Sequence, residues 1–333
     1  MRYCNIGEAA NSLARGGVVA FPTETVYGLG ADADNCHAIG KVYNIKNRPL
    51  NHPVIIHLLD GADIPYWAES IPREAYLLID NFWPGPLTVL LKKSKNVMSL
   101  VSGGQDTIGL RCPSHTVAQD LLREFIRLKP SKCGGLIAPS ANKFGKVSPT
   151  NSRHVFDEFS QESYSGMMIL DGGESSIGIE STIVDLSNVV DKYARPILLR
   201  PGHIKTSQIE EVLGREVSFA TEHSPVVPGS LKAHYSTNTP LEIIKRELNF
   251  DCLSYVNKRI AILSCDAPPA FLPKCFIWFE MTYDHDLYAS KLYSTLRYID
   301  RSGFDRIFIC NLPNSSAWDA IRDRIYRAAA SFI

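Results

Sequence analysis

Short apolar runs alternate with segments of helical periodicity along the first two thirds of the chain. The runs predict buried strands at 18–21, 53–58, 87–91, 107–113, 135–140, 167–170, 181–186 and 197–200. The helical pattern predicts helices at 6–15, 36–48, 72–82, 115–127 and 151–158. Continuous apolar strands that alternate with helices favour an α/β fold of the mixed α+β kind, and the adjacent short strands predict a twisted mixed sheet with flanking helices.

The pattern changes after Gly202. A short helix is predicted over 206–214, and the proline-rich, weakly periodic stretch that follows is typical of an inter-domain connection. Beyond it, strands are predicted at 241–245, 259–265, 275–280 and 306–312, and helices at 284–300 and 316–330. We therefore expect a large domain over 1–205, a linker over 206–239, and a small Rossmann-like α/β domain over 240–333.

Composition narrows the functional class. The 333 residues are 45% hydrophobic and 21% charged, with 35 basic and 35 acidic side chains, so no overall field recruits nucleic acid. No run has the length of a signal peptide core or a membrane span, which favours a cytoplasmic protein without a membrane partner. The eight cysteines are scattered without a C-x-x-C pair, as expected of core residues; the roles of Cys133 and of the segment 128–135 stay open.

The stretch "FPTETVYGLG", residues 21–30, follows the first long strand. It contains only G-x-G and lacks the rest of a dinucleotide fingerprint or of a P-loop, so a phosphate-binding glycine loop is rejected. Gly28 and Gly30 are predicted to let the backbone turn. Thr25 stands at the carboxyl end of the strand, where α/β sheets bind ligands, and is a candidate binding residue.

The stretch "KNRPLNHPVIIH", residues 46–57, concentrates positive charge. Two interpretations of Lys46 and Arg48 remain open. They are either cations that offset the dipole of a helix end, or a polyphosphate clamp whose backbone is stiffened by Pro49 and Pro53. No metal-ligand cluster and no Ser-His-Asp elbow accompanies them.

Further polar residues stand at strand ends and in one loop. Arg111 ends an apolar strand and needs either a structural carboxylate or an anionic ligand. Ser140 and Ser148 lie in a polar loop that either binds a ligand or caps a helix. Ser181 begins one strand and Arg200 ends another. Cations and hydroxyls without an evident nucleophile suit adenylyl transfer between a nucleoside triphosphate and a small carboxylate, with Mg²⁺ arriving on the triphosphate.

The stretches "FPTETVYGLG", "KNRPLNHPVIIH", "WPGPLTVLL", "IGLRCP", "PSANKFGKVSPT" and "ESTIVDL…LLRPG" occur in the order seen in the YrdC-like family, which the chain resembles over about residues 5–205. With the "PGSLKAHYSTNTP" connection and the small second domain, it is similar to the two-domain threonylcarbamoyl-AMP synthases. The resemblance implies a nucleotidyltransferase that converts L-threonine, bicarbonate and ATP into L-threonylcarbamoyl-AMP and pyrophosphate. Downstream proteins would pass the threonylcarbamoyl group to tRNA next to the anticodon, so tRNA is an indirect partner.

The same resemblance assigns residues but no general base. Those implied around threonine are Thr25, His57, Arg111, Ser181 and the backbone of Ala138, which stands where the family commonly has Thr. Those implied around ATP are Arg48, His52, Thr107, Ser140, Ser148 and Arg200, with Lys46 completing the clamp. Tyr235 is implied to close over the nucleotide as the linker folds over the active site.

Two other functions are weighed against this one. A carbamoyltransferase of the hydrogenase-maturation kind would share the YrdC-like module but carries C-x-x-C zinc motifs and an acylphosphatase-like domain, which are missing from this sequence. An RNA-binding or ribosome-assembly factor would need a basic, aromatic-interleaved surface, and the balanced charge argues against it.

Overall fold

The computed structural model describes residues 1–130, 133–160, 166–189, 193–244, 255, 257–310 and 312–333. Four residues named in the sequence analysis lie outside this description. They are 131 and 132, from the segment 128–135 to which the sequence assigned no role, and 245 and 311, from two predicted strands. The chain divides into two units. The first comprises Met1–Phe144, Ser148–Ser176 and Glu180–Ser230, and the second comprises Gly145–Val147, Ile177–Ile179 and Leu231–Ile333.

A mixed sheet forms the centre of the first unit, as the sequence pattern predicted. Its strands are β1 (Arg2–Cys4), β2 (Val19–Phe21), β3 (Gly28–Asp32), β4 (Ile55–Leu58), β5 (Ala68–Glu69), β6 (Leu87–Lys93), β7 (Thr107–Arg111), β8 (Gly135–Ile137), β9 (Met168–Leu170), β10 (Thr182–Asp185), β11 (Ile197–Arg200) and β12 (Ser218–Phe219). The order across the sheet is β1-β9-β2-β3-β8-β4-β7-β6-β10-β11-β12, with β5 paired to β6. Strands β4 and β7 run parallel, so their carboxyl ends lie side by side.

Helices flank this sheet. They are α1 (Ile6–Ala14), α2 (Cys36–Lys46), α3 (Ile64–Trp67), α4 (Arg73–Phe82), α5 (Ser99–Ser102), α6 (Thr116–Leu128), α7 (Ser152–Phe159) and α8 (Thr206–Leu213). Helix α1 begins with a capping box, in which the Asn5 side chain accepts from the Glu8 amide and the Glu8 carboxylate accepts from the Asn5 amide. It ends before Gly16, whose φ of 74° suits glycine. Helix α8 and strand β12 come from the predicted linker and belong to the first unit, which extends to Ser230.

The prediction that Gly28 and Gly30 turn the chain is wrong. Both lie in strand β3, which pairs antiparallel with β2, and the turn is made by the residues before them. A Cβ on Gly30 would stand 2.7 Å from Cε1 of Phe21, and one on Gly28 would stand 3.1 Å from Cβ of Ala138. The glycines therefore allow close packing inside the sheet, against Phe21 on the neighbouring strand and against Ala138.

The second unit contains a parallel sheet, in agreement with its sequence pattern. Its strands are β13 (Leu241–Ile244), β14 (Ile260–Ser264), β15 (Phe276–Glu280) and β16 (Arg306–Cys310), in the order β13-β16-β14-β15. Helices α9 (His285–Arg301) and α10 (Asp319–Ala329) bury apolar faces that include Leu292, Leu296 and Ile325. None of the helices in the described residues is both long and apolar enough to span a membrane.

Candidate functional site

The polar residues predicted at strand ends meet at one edge of the first unit's sheet. His57 on β4 and Arg111 on β7 are paired across the parallel strands. The turn that contains Thr25 follows β2, and Ser181 stands immediately before β10. Strand β2 runs antiparallel to β4 and β7, so the turn after it reaches this group through the hydrogen bond between Thr25 and Arg111. The tertiary fold thus brings together candidate residues from four segments of the chain.

Arg111 connects several segments of this edge. Its Nη2 donates to Oε1 of Glu24 at 2.6 Å, its Nη1 donates to Oγ1 of Thr25 at 2.8 Å, and its Nε donates to the Gly85 carbonyl at 3.3 Å. The other Glu24 oxygen accepts from the Ser114 amide at 3.1 Å. Of the two partners that the sequence left open for Arg111, the structural carboxylate is therefore present.

Glu24 is a residue that the sequence reasoning missed. Its side chain is 7% exposed and that of Arg111 is 5% exposed, so the ion pair is shielded from water. The available signal was its position between two threonines at a strand end. The pairing itself was not visible, because 87 residues separate Glu24 from Arg111.

A second hydrogen bond orders the turn beside this ion pair. Oγ1 of Thr23 lies 2.9 Å from Oγ1 of Thr25 and donates to the Val26 carbonyl at 2.6 Å. Both threonines are fully buried. Thr25 therefore has a defined side-chain position between Thr23 and Arg111.

His57 is buried next to Arg111. Burial, with a further contribution from the Arg111 charge, lowers the pKa of His57 well below its usual value, so its imidazole is neutral at neutral pH. Its Nδ1 has no hydrogen-bond partner among the described residues. The Phe21 ring meets the imidazole edge-on, with 6.2 Å between ring centroids. A neutral imidazole with an unused nitrogen is suited to hydrogen-bond a ligand.

Ser181 and Arg200 form a neighbouring cluster. The Ser181 hydroxyl lies 2.8 Å from that of Thr88 on β6 and accepts from Nη2 of Arg200 at 3.0 Å. Arg200 also donates through Nε to the Ser181 carbonyl at 3.0 Å and through Nη1 to the Pro228 carbonyl at 2.7 Å. The start of β6 therefore connects this cluster with Arg111. Thr88 on β6 contacts Ser181, and Gly85, just before β6, accepts from Arg111.

Lys46 and Arg48 lie together but are directed at backbone carbonyls. Nζ of Lys46 donates to the carbonyls of Ser140 and Asn142, both at 2.5 Å. Nη2 of Arg48 donates to the Pro53 carbonyl at 2.6 Å. Burial and the nearby Arg48 lower the pKa of Lys46 well below its usual value, and burial lowers the pKa of Arg48 to about 10.

The loop after β8 lies against this cationic pair. The Lys46 carbonyl accepts from the Phe144 amide at 2.7 Å. The guanidinium carbon of Arg48 lies 5.3 Å from the centre of the Phe144 ring, and the His52 ring centroid lies 5.0 Å from the same ring. The structure thus brings together Lys46, Arg48, His52 and Ser140, four of the residues predicted around ATP.

Three other predicted residues occupy separate positions in the first unit. The Ser148 hydroxyl donates to Oε1 of Glu180 at 2.5 Å, and Glu180 is a second buried carboxylate that the sequence reasoning did not assign. Thr107 lines a small cleft with Thr88 and Val227, and its hydroxyl is buried without a partner among the described residues. The Ala138 amide donates to the Ile55 carbonyl, which leaves only its carbonyl for a ligand.

Tyr235 belongs to the second unit. Its ring is buried, stacks on Tyr293 with 5.8 Å between ring centroids, and lies 5.2 Å from the guanidinium carbon of Arg324. Its φ of 60° is in the left-handed region, which is unusual for tyrosine. Its predicted closure over a nucleotide stays a prediction.

The described residues contain no group of three or more His, Cys, Asp or Glu side chains that could hold a metal ion. The chemistry available at the edge is instead hydrogen bonding and charge. A shielded guanidinium, a neutral imidazole and several hydroxyls suit a small carboxylate. The basic side chains of Lys46 and Arg48 belong to the group that also contains His52 and Ser140.

Comparisons with known families cover both parts of the chain. Residues 11–202 match the family of Sua5, YciO and YrdC proteins, whose description is telomere recombination. Residues 204–330 match the C-terminal domain of threonylcarbamoyl-AMP synthase.

Individual relatives match over nearly the whole length. Threonylcarbamoyl-AMP synthase of Pyrococcus abyssi is 33% identical, over 96% of this chain and 93% of its own. The Bacillus subtilis protein of the same name is 34% identical, over 97% of this chain and 92% of its own. A crystal structure of Pyrococcus abyssi Sua5 complexed with L-threonine is 32% identical, with a TM-score of 0.84 over 98% of this chain and 94% of that one. Escherichia coli YciO, at 22% identity and a TM-score of 0.51, covers 63% of this chain and 97% of its own and shows the fold alone.

Proposed function

The chain belongs to the threonylcarbamoyl-AMP synthase family, which confirms the resemblance stated from its sequence. From this premise we propose that it joins L-threonine, bicarbonate and ATP into L-threonylcarbamoyl-AMP, with release of pyrophosphate. The observation that carries the proposal is the buried Arg111 cluster at the strand ends, because it offers shielded donors for an amino-acid carboxylate. Similarity along the whole chain to a Sua5 crystallised with L-threonine supports the choice of amino acid.

The threonine half of the site is proposed at Arg111. Its three hydrogen bonds use one N–H on each of its nitrogens, which leaves one N–H on each terminal nitrogen. Two such donors match the two oxygens of a carboxylate. Thr25, His57 and Ser181 would surround the rest of the amino acid, with the carbonyl of Ala138.

The reaction needs few groups that exchange protons. The threonine nitrogen forms a bond to the carbon of bicarbonate with loss of water, and gives a carbamate. A carbamate oxygen then attacks the α-phosphorus of ATP, and the bond to the β-phosphate oxygen breaks as pyrophosphate leaves with the electron pair. The protein contributes positioning and charge stabilisation, which dominate phosphoryl-group chemistry, and we assign no general base.

The ATP half is proposed around Lys46 and Arg48. Two N–H groups of Lys46 are used by carbonyls, so a protonated Lys46 keeps one for a phosphate oxygen. Arg48, which bonds to two carbonyls and also interacts with the Tyr43 hydroxyl, keeps at least two of its five N–H groups. A bound triphosphate favours the charged form of Lys46 and opposes the effect of burial on its pKa. The remaining residues proposed around ATP are His52, Thr107, Ser140, Ser148, Arg200 and Tyr235, with the linker folded over the nucleotide.

Magnesium is proposed to enter bound to ATP. It neutralises part of the triphosphate charge and takes most of its oxygen ligands from phosphates and water. We further propose that downstream transfer proteins receive the product and carry the threonylcarbamoyl group to tRNA, so that this chain meets tRNA only through them.

The test is pyrophosphate release from the purified protein with ATP, Mg²⁺, bicarbonate and one amino acid at a time. Release is expected with L-threonine and bicarbonate together and is expected to fall to background when either is omitted. Labelled bicarbonate should enter a product that also contains AMP. Pyrophosphate release that is independent of threonine or bicarbonate would overturn the proposal.

A further inference from the structure

The ladder between strands β4 and β7 ends at the candidate amino-acid residues. His57 and Arg111 are the last residues that the two strands pair with each other. Beyond them the chain continues as two loops, one with Asp60 and the other with Pro113, and no backbone hydrogen bond joins these loops in the described residues. The separation of the two strand ends beyond this pair therefore depends on side chains.

Gln119 on helix α6 bridges the two loops. Its Oε1 accepts from the Asp60 amide at 3.0 Å, and its Nε2 donates to the Pro113 carbonyl at 2.7 Å. Nε2 also lies 3.4 Å from Sγ of Cys112, the residue directly after Arg111. These contacts use the amide oxygen and both N–H groups of the side chain. The partners also determine which way the amide points, because one offers an N–H and the other a carbonyl.

The Pro113 carbonyl belongs to the peptide group whose N–H holds Glu24. A peptide group is planar and trans, so a bond that orients its carbonyl also orients its N–H. The Ser114 amide donates to Oε2 of Glu24 at 3.1 Å, and Oε1 of Glu24 accepts from Nη2 of Arg111 at 2.6 Å. A single hydrogen bond from Gln119 is therefore the start of a series of contacts that ends at the Arg111 guanidinium.

We propose that Gln119 is a positioning residue for the amino-acid subsite: it bridges the ends of β4 and β7, orients the peptide that holds Glu24, and so directs Arg111 at the substrate carboxylate. The inference rests on the proposed function and adds a residue that the family resemblance did not imply. Lys46 and Arg48 have a different set of contacts, so ATP binding does not depend on Gln119.

The test uses two substitutions of Gln119 in the full chain. Gln119→Met removes the polar groups at similar side-chain length, and Gln119→Glu keeps an oxygen for the Asp60 amide but has no N–H for the Pro113 carbonyl. Each should raise the KM for L-threonine roughly fivefold, the effect of one ordinary hydrogen bond, and leave the KM for ATP and the kcat at saturating threonine unchanged. Calorimetric titration with L-threonine gives the same comparison without turnover.

Gln208→Met is the matched control. Gln208 accepts from the Lys205 amide at the exposed start of helix α8, so the same substitution should leave the KM for both substrates unchanged. Melting temperatures show whether each variant folds, and Gln119→Glu decides the question alone if Gln119→Met does not fold.

Three outcomes would overturn the inference: an unchanged KM for threonine in Gln119→Met, wild-type threonine binding in Gln119→Glu, or an equal rise in the KM for ATP. Threonine binding that weakens fivefold in the Gln119 variants of a protein that releases no pyrophosphate would overturn the proposed function and keep this inference. A wild-type protein that binds no L-threonine would overturn both.

Discussion

Replacement of Glu24 by Gln tests the buried ion pair that organises the amino-acid end of the site. The substitution keeps the side-chain shape but leaves the Arg111 guanidinium without a counter-charge, where it is only 5% exposed. Glu24 accepts from both Arg111 and the Ser114 amide, and a neutral amide has one oxygen for these two donors. Removal of one partner of a buried pair costs about 3–5 kcal/mol.

We therefore expect Glu24→Gln to lower the free energy of unfolding of the first unit by about 3 kcal/mol, the lower end of that range because one hydrogen bond survives. For a unit of this size, such a change lowers the melting temperature by about 6–12 °C. The measurement is urea and thermal unfolding of the full chain, with L-threonine binding measured in parallel. The KM for threonine should rise more than that for ATP, because Arg111 loses its fixed orientation.

Glu124→Gln is the matched control. Glu124 pairs with Arg127 on the exposed surface of α6, with side chains 39% and 68% exposed, so the same substitution should change stability by no more than about 1 kcal/mol. If Glu24→Gln and Glu124→Gln destabilise the protein equally, the ion pair does not have the role described.

Three further predictions concern the site and the fold. Arg111→Ala should raise the KM for threonine far more than that for ATP, and Arg48→Ala should do the opposite; equal effects on both substrates would contradict the assignment. Gly30→Ala should lower the free energy of unfolding by about 1–3 kcal/mol because its Cβ meets Phe21, whereas Gly40→Ala, with open space in helix α2, should raise it by about 0.5–1 kcal/mol. The folded protein keeps His57 neutral, with its pKa well below the usual 6.5, so the free energy of unfolding falls as the pH decreases below 6.5. In His57→Asn this fall should be shallower by up to about 1.4 kcal/mol per pH unit. Urea unfolding at several pH values checks this, and an equal slope in the variant and the wild type would refute the prediction.

The residues around Lys46 illustrate how far sequence reasoning reached. The pair Lys46 and Arg48 was recognised as a local concentration of charge at a helix end, which needs only neighbouring letters. Their carbonyl partners were not predicted, since Ser140 and Asn142 lie 94 and 96 residues away in the chain. The interpretation of Lys46 and Arg48 as a phosphate clamp therefore stays a prediction. The structure adds which of their N–H groups are already used by backbone carbonyls.

The glycines of β3 show the opposite case, in which local reasoning gave a wrong answer. Two glycines after a strand are usually a turn, and no local signal separates that case from close packing. Phe21, on the neighbouring strand β2, leaves no room for a Cβ at Gly30 unless its ring shifts, and this contact exists only after β2 and β3 pair.

The sequence by itself determined the longer helices and most of the strands, although not β1, β3, β5 or β12, and it also determined the mixed sheet of the large domain and the family, because period, apolar runs and motif order are local properties of the chain. It also placed Thr25 and Arg111 at strand ends, and the resemblance implied His57 beside them. Only the tertiary structure decided that Glu24 and Thr23 complete that cluster, that Arg111 keeps two N–H groups, and that Thr25 accepts a hydrogen bond from Arg111. These properties depend on which atoms become neighbours when distant segments pair in the sheet, and on burial, which makes every donor and acceptor in the cluster require a partner.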